Sequence, residues 1–204
     1  MEDILLIGFG GHARSVVDAI EAQQKYRIVG FSDKSSVMHY RGYGVVCNDE
    51  ELESMYEKGV KNAFITIGYM GNSSVRNQLY YRLKAIGYKI PSIIDPSAII
   101  ASDALYGEGT FIGKRVVINS NAVLGKMCIV NTGAIIEHDC NIGDFTHIAV
   151  GAVLCGQCNV GSASFVGANA TIIQQRTIGD SAIIGAGCVI KQNIADKTVY
   201  KNNK

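Results

Sequence analysis

Residues 131–161 read NTGAIIEHDCNIGDFTHIAVGAVLCGQCNVG, and their aliphatic residues recur at a fixed step of six: Ile136, Ile142, Ile148, Leu154, Val160. A helix repeats near 3.6 and a strand at two, so neither element explains that step. The register extends outward in both directions. Upstream it passes through Val130, Leu124, Ile118, Ile112 and Tyr106 to Ile100, and downstream through Val166, Ile172, Ile178 and Ile184 to Ile190. Two places before most anchors stands a small residue, among them Ala122, Cys128, Ala134, Cys140, Ala152, Cys158 and Ala170. Glycine often follows the anchor, as at 107, 113, 125, 143, 161, 167, 179 and 185. One large and one small inward position per six residues predicts a solenoid whose coils have three short faces, with glycine expected to serve the turn. Three hexads make an 18-residue coil, and the run supplies about five, enough for stacked coils to cover one another's apolar edges.

Before Pro96 the pattern obeys another rule. ILLIGFGG reads as a strand entering a glycine turn, followed by a helical face of Ala13, Val16, Val17 and Ile20. RIVGFSD and AFITIG read as further strands, DEELESMYEKG as a short helix, and the segment from Ser73 to Ile86 as a helix stopped by Gly87. Alternating strands and helices predict a small Rossmann-like parallel sheet with ligands at the carboxyl ends of its strands. The expected organisation is therefore an α/β domain over residues 1–94 and a β-helix over residues 95–204.

Composition narrows the function classes. Nineteen basic and 18 acidic residues leave a net charge of +1 with no run of either sign, so nothing suggests a nucleic-acid backbone or an anionic membrane as partner. The N-terminal apolar run is too short to span a bilayer, and a cytoplasmic location is expected. Of six cysteines, Cys155 and Cys158 form the closest pair, without the second pair or spaced histidines that zinc requires. No metal is expected. Cys128, Cys140, Cys158 and Cys188 occupy the small position of the repeat and read as buried hydrophobes.

Within the repeat, Glu137, His138 and Asp139 follow an inward anchor, which turns His138 away from the core. An imidazole with an ordinary pKa of about 6.5 suits proton removal from an attacking amine or hydroxyl, and an adjacent carboxylate can fix its tautomer. His147 lies half a coil later. In the N-terminal half, GFGGH (residues 8–12) sits at a strand-to-helix turn where amides can meet an anion, although its spacing is not the full dinucleotide fingerprint. Asp33 ends the next strand, placed for a ribose or base contact.

The hexapeptide run resembles the left-handed parallel β-helix of the hexapeptide acyltransferases. The 131–161 block resembles, more narrowly, the bacterial sugar acetyltransferases: the bacillosamine-pathway UDP-4-amino-sugar N-acetyltransferases and their sialic-acid O-acetyltransferase relatives. The resemblance implies acetyl-CoA as acyl donor, direct transfer in a ternary complex, and homotrimers with sites between adjacent β-helices. It assigns His138 as general base and Asp139 as its orienting partner, where the bacillosamine-type enzymes carry glutamate. It places Asn131 in the acceptor cleft and His147, Gly156, Ala168 and Ala186 at the coenzyme. Gly8, Gly10, Gly11, His12 and Asp33 would grip the nucleotide sugar, with Asn72 and Arg76 in a loop covering the pocket. Cys155 would be the nucleophile of a covalent route. The ending DKTVYKNNK departs from the Gly-Val-Pro-Ala-Lys-like tail of these relatives, which points to altered coenzyme contacts there. The expected reaction is N-acetylation of a UDP-4-amino-4,6-dideoxy sugar for surface glycans, with sialic-acid O-acetylation or an inactive nucleotide-sugar-binding trimer as the alternatives.

Overall fold

The computed structural model describes residues 1–35, 39–71 and 73–202. The chain divides into two compact units, one of Met1–Gly68 with Ser74–Ile93, the other of Tyr69–Ser73 with Ile94–Lys204.

In the first unit β1 (Glu2–Ile7), α1 (Gly11–Gln23), β2 (Tyr26–Ser32), β3 (His39–Tyr40), β4 (Tyr43–Cys47), α2 (Leu52–Glu57), β5 (Asn62–Ile65) and α3 (Ser74–Ile86) follow in order. The sheet order is β3-β4-β2-β1-β5. β1 lies between parallel neighbours, and its Ile4, Leu5, Leu6 and Ile7 are all fully buried, which accounts for a continuous apolar run rather than alternation. The helical face read from the sequence, Ala13, Val16, Val17 and Ile20, is buried. The expected all-parallel sheet needs one correction. The segment passed over in the sequence forms a β3–β4 antiparallel pair, with β4 parallel to β2. Its two-residue arm and paired glycines, Gly42 and Gly44, leave too short a pattern to read.

The second unit is a hexapeptide-repeat parallel β-helix. Two-residue strands recur every six residues, and each anchor is the second residue of its strand. Within a coil the chain visits three faces in turn: a first face containing Ile135–Ile136, a second containing Asn141–Ile142 and a third containing His147–Ile148. Strands pair in parallel with those 18 residues away, as Ile118 with Ile136 and Ile136 with Leu154, until the last coil, where Val199–Tyr200 pair with Ile183–Ile184 at a separation of 16. The anchors stack into columns, and Cys128, Cys140, Cys158 and Cys188 fill the small interior position with no exposure.

The corners correct one expectation. From Tyr106 to Ile184 the left-handed residue is the third after the anchor, and it is usually not glycine: Asn121, Asp139, Phe145, Gln157, Ala163 and Gln175 have φ of 54–62°, together with Asn169 and Ser181. Left-handed backbone costs such residues about 1 kcal/mol each. The coil offsets this by taking the corner N–H into the preceding coil, as in Asp139 N to the Ser120 carbonyl at 3.0 Å and Gln157 N to that of His138 at 2.9 Å. The glycine after the anchor is needed for another reason. A Cβ on Gly161 would lie 2.5 Å from the Asp180 nitrogen, and one on Gly143 2.5 Å from that of Ser162. These positions are closed by the backbone of the next coil.

This separates two kinds of glycine. Gly161→Ala should destabilise the fold by about 3 kcal/mol through overpacking. Gly133→Ala, at a left-handed corner with open space around it, should cost about 1 kcal/mol. Urea unfolding of both variants checks the ranking.

Candidate active site

His138 stands second after its anchor, at the corner between the first and second faces, with 55% of its side chain exposed. Adjacent residues in extended chain point to opposite sides, and a carboxylate next in sequence would ordinarily miss the ring. The left-handed φ of Asp139, 59°, folds it back, so that Oδ2 lies 2.7 Å from His138 Nδ1. Asp139 Oδ1 accepts from Asn121 Nδ2, also at 2.7 Å, from the same corner one coil earlier. Glu137 Oε2 accepts the His138 amide at 3.3 Å.

An ionised carboxylate only accepts, so the neutral ring carries its proton on Nδ1 and presents a lone pair at Nε2. Asp139 bonding raises the imidazole above its ordinary pKa, with desolvation opposing and the charges of Asp139 and Glu137 adding. Asp139 itself is held below the usual carboxylate value, first by Asn121 and then by the ring. Nε2 faces the position one coil on, where Gly156 stands. A Cβ there would lie 2.6 Å from Nε2, so the missing side chain is the space the ring edge occupies. Cys155 lies beside this glycine, and burial pushes its thiol up, with Cys158 and Glu137 adding, which disfavours the thiolate a covalent route needs.

The remaining predicted residues fall elsewhere. Asn131, Ala168 and Ala186 occupy the corner between the third and first faces, across the first face from His138. Asn131 Oδ1 accepts the Thr132 amide. His147, placed at the coenzyme by the resemblance, is only 8% exposed: Nδ1 donates to the Tyr69 carbonyl at 2.8 Å, and the ring is flanked by Tyr69 and Phe165. That cover comes from 78 residues away, out of reach of a local pattern.

In the α/β unit, Gly8 and Asp33 line a cleft of about 500 Å³ at the carboxyl ends of β1 and β2, with Ser32, Lys34, Asp49 and Arg82. Gly8 has φ of +94° and a Cβ would strike Ile67, so glycine is obligatory there. Gly10 and Gly11 open α1 with free space before them and no side-chain cap, while His12 packs its Cβ side toward Gly68. Asp33 steadies this loop: Oδ2 accepts the Phe9 amide at 2.7 Å and Oδ1 that of Ser35 at 3.1 Å. Arg76 was expected in a covering loop and is instead in α3, 1% exposed, donating to the carbonyls of Ile65 and Ile67. Asn72 lies outside the described residues. Lys34, Asp49 and Arg82 went unread because they come from separate elements with no shared spacing. Among the described residues, no group of three or more His, Cys, Asp or Glu could hold a metal ion, and no helix is long and apolar enough to cross a membrane.

Residues 3–83 match the family described as the PglD N-terminal domain. The GDP-perosamine N-acetyltransferase of Caulobacter crescentus, solved as a histidine-to-alanine variant with CoA and GDP-perosamine, is 30% identical. The match covers 98% of this chain and 93% of that one, with a TM-score of 0.92. The chain belongs to the bacterial nucleotide-sugar N-acetyltransferases. Among other members, the acetyltransferase domain of PglB from Neisseria gonorrhoeae, solved with acetyl coenzyme A, is 32% identical over 97% of this chain and 95% of its own, with a TM-score of 0.90. The UDP-N-acetylbacillosamine N-acetyltransferase of Bacillus subtilis is 32% identical over 112 residues, 55% of this chain. The match spans about half the length of that curated relative, 51%.

For this N-acetyltransferase family member the site geometry sets a titration. NMR titration of His138 should give a midpoint above 6.5, and Asp139→Asn should bring it back toward the ordinary value, since the carboxylate that stabilises imidazolium is gone.

Proposed function

We propose that this chain transfers the acetyl group of acetyl-CoA to the amine of a UDP-linked 4-amino-4,6-dideoxy sugar, as a homotrimer, with His138 as general base. The observation that carries the reading is the His138–Asp139 pair, whose Nδ1 is engaged at 2.7 Å and whose Nε2 is turned out over Gly156. The sugar amine attacks the thioester carbonyl, a tetrahedral intermediate forms, and the C–S bond breaks. Nε2 takes the proton the amine loses and returns it to the departing CoA thiolate. Asp139 stabilises the imidazolium between these steps.

Trimerisation draws support from the first face. Its outward residues, Ile99, Val117, Ile135, Val153, Thr171 and Val189, form a column that is aliphatic except at Thr171, with Ile99 67% exposed and Val189 47%. The column separates the His138 corner from the Asn131, Ala168 and Ala186 corner. In a closed ring, each copy would set one corner against the other corner of its neighbour, so residues kept apart in one chain would share a cleft. His147, held behind Tyr69, would act there only through its buried ring. The nucleotide would sit in the cleft of Gly8 and Asp33, its phosphates near the uncapped amides of α1. Six free cysteines suit a reducing, cytoplasmic setting.

The relatives bring both reaction partners into view: one solved with CoA and GDP-perosamine, one with acetyl coenzyme A, and one named for a UDP-sugar. The guanine-linked relative makes a GDP-amino sugar the second reading. The test is mass spectrometry of products from acetyl-CoA with UDP- and GDP-linked 4-amino sugars and sialic acid. We expect acetylation of the UDP-amino sugar, and loss of about 10²–10⁴ in kcat for His138→Ala. Exclusive O-acetylation of sialic acid, or unchanged turnover without His138, overturns the reading.

A further inference from the structure

Asp139 orients His138, and Asp139 has a partner of its own. Asn121 occupies the same corner position one coil earlier, and both residues are left-handed, with φ of 58° and 59°. Asn121 Nδ2 donates to one carboxylate oxygen at 2.7 Å while His138 Nδ1 donates to the other at 2.7 Å. Each oxygen of a single carboxylate is therefore committed, one to the scaffold and one to the ring. We infer that Asn121 is a positioning residue for acetyl transfer: by holding the far oxygen it fixes the carboxylate plane against His138 Nδ1 and keeps Nε2 aimed. The inference rests on His138 being the base.

Side chains bridge other coils too, Asn141 to Asn159 at 3.2 Å on the second face and Gln175 to Gln157 at 2.8 Å farther along the same corner column. Those ladders end in amides that bond nothing further in the direction of an imidazole. At Asn121 the ladder ends in a carboxylate, and an amide N–H favours its ionised form, the form the imidazolium needs beside it. Little ordering is left for the contact to supply. The Asp139 backbone is fixed by its amide on the Ser120 carbonyl, and the chain around Asn121 is held by Asn119 N on the Ile136 carbonyl and Ala122 N on that of Asn119, so two short side chains need only adopt their rotamers.

The titratable groups that face the ring are few. Asp139 and Glu137 flank it on its own corner, and Cys140 is buried beneath. The preceding coil contributes Ser120 and Asn121, neither of which titrates. The following coil contributes Cys155, Gly156 and Gln157, with the Cys158 thiol buried below. The acidic limb of a rate profile therefore reports the ring and the carboxylates beside it.

The experiment compares pH–rate profiles, KM for both substrates and thermal unfolding across wild type, Asn121→Gly, Asn121→Asp and His138→Ala. Both Asn121 replacements tolerate left-handed backbone. Asn121→Gly frees the carboxylate to swing away, so imidazolium is less well held: kcat should fall about tenfold with KM little changed, and the acidic limb should move to lower pH. Asn121→Asp adds a second carboxylate instead, so the acidic limb should move to higher pH. A role confined to stability would lower the unfolding temperature and leave both limbs where they were. Unshifted limbs in the two variants overturn the inference, and either variant suffices should the other fail to fold. His138→Ala keeps the failures distinct. If it retains wild-type turnover the base assignment fails. If it is inactive while the Asn121 profiles are unshifted, only the role of Asn121 fails.

Discussion

The constraint on which the β-helix depends is the hydrogen-bonded contact between one coil and the next at 18-residue register. It brings backbone so close at Gly143, Gly161 and Gly179 that a Cβ has no place. It also takes the N–H of most left-handed corner residues, Asp139, Phe145, Gln157 and Gln175 among them, offsetting a conformation that non-glycine residues otherwise avoid. The catalytic geometry follows from the same contact. Asp139 reaches His138 because its backbone is left-handed, and its backbone is left-handed because Ser120 receives its amide.

Much of the architecture was legible because the period survives every local variation. A step of six held over the whole run names the anchors, the small interior positions and the outward direction of His138, all of which follow from one inward residue per face. The corners were harder to read. Left-handed residues are usually found by glycine or asparagine, and here methionine, phenylalanine, glutamine and aspartate fill them at Met127, Phe145, Gln157 and Asp139. The turn is enforced by neighbours, so composition does not reveal it. Conversely, glycines that follow an anchor, such as Gly143 and Gly161, answer to steric closure and not to the turn, while Gly133 and Gly187 serve left-handed corners.

The candidate site divides along the same line. His138 and Asp139 were legible as a pair, since they are adjacent and break the apolar pattern. Asn121 becomes legible only when 18 is subtracted from Asp139, once the coil length is known. The burial of His147 and the helical place of Arg76 are hidden from the sequence for a common reason: their environments are made by chain outside their own pattern. Tyr69 covers the one. The other spends its guanidinium on the carbonyls that end β5, a local need of the α/β unit that a polar loop sequence disguises.

Because each coil is equivalent to the next in backbone and register, positions along the β-helix axis are quantised. Adding or removing a whole coil translates everything beyond it by about 4.8 Å and leaves each anchor, corner and closed glycine in phase. Another change of length puts later residues on the wrong face unless a corner absorbs it, as beyond Ile190, where Ile194 pairs with Ile178 and Val199–Tyr200 with Ile183–Ile184 at a separation of 16. A lineage built on this fold can therefore alter the separation between His138 and features farther along the axis only in integral steps. The finer adjustment of the site falls to side chains in the corner column, Asn121, Asp139, Gln157 and Gln175, where the backbone conformation is already imposed whatever residue is present.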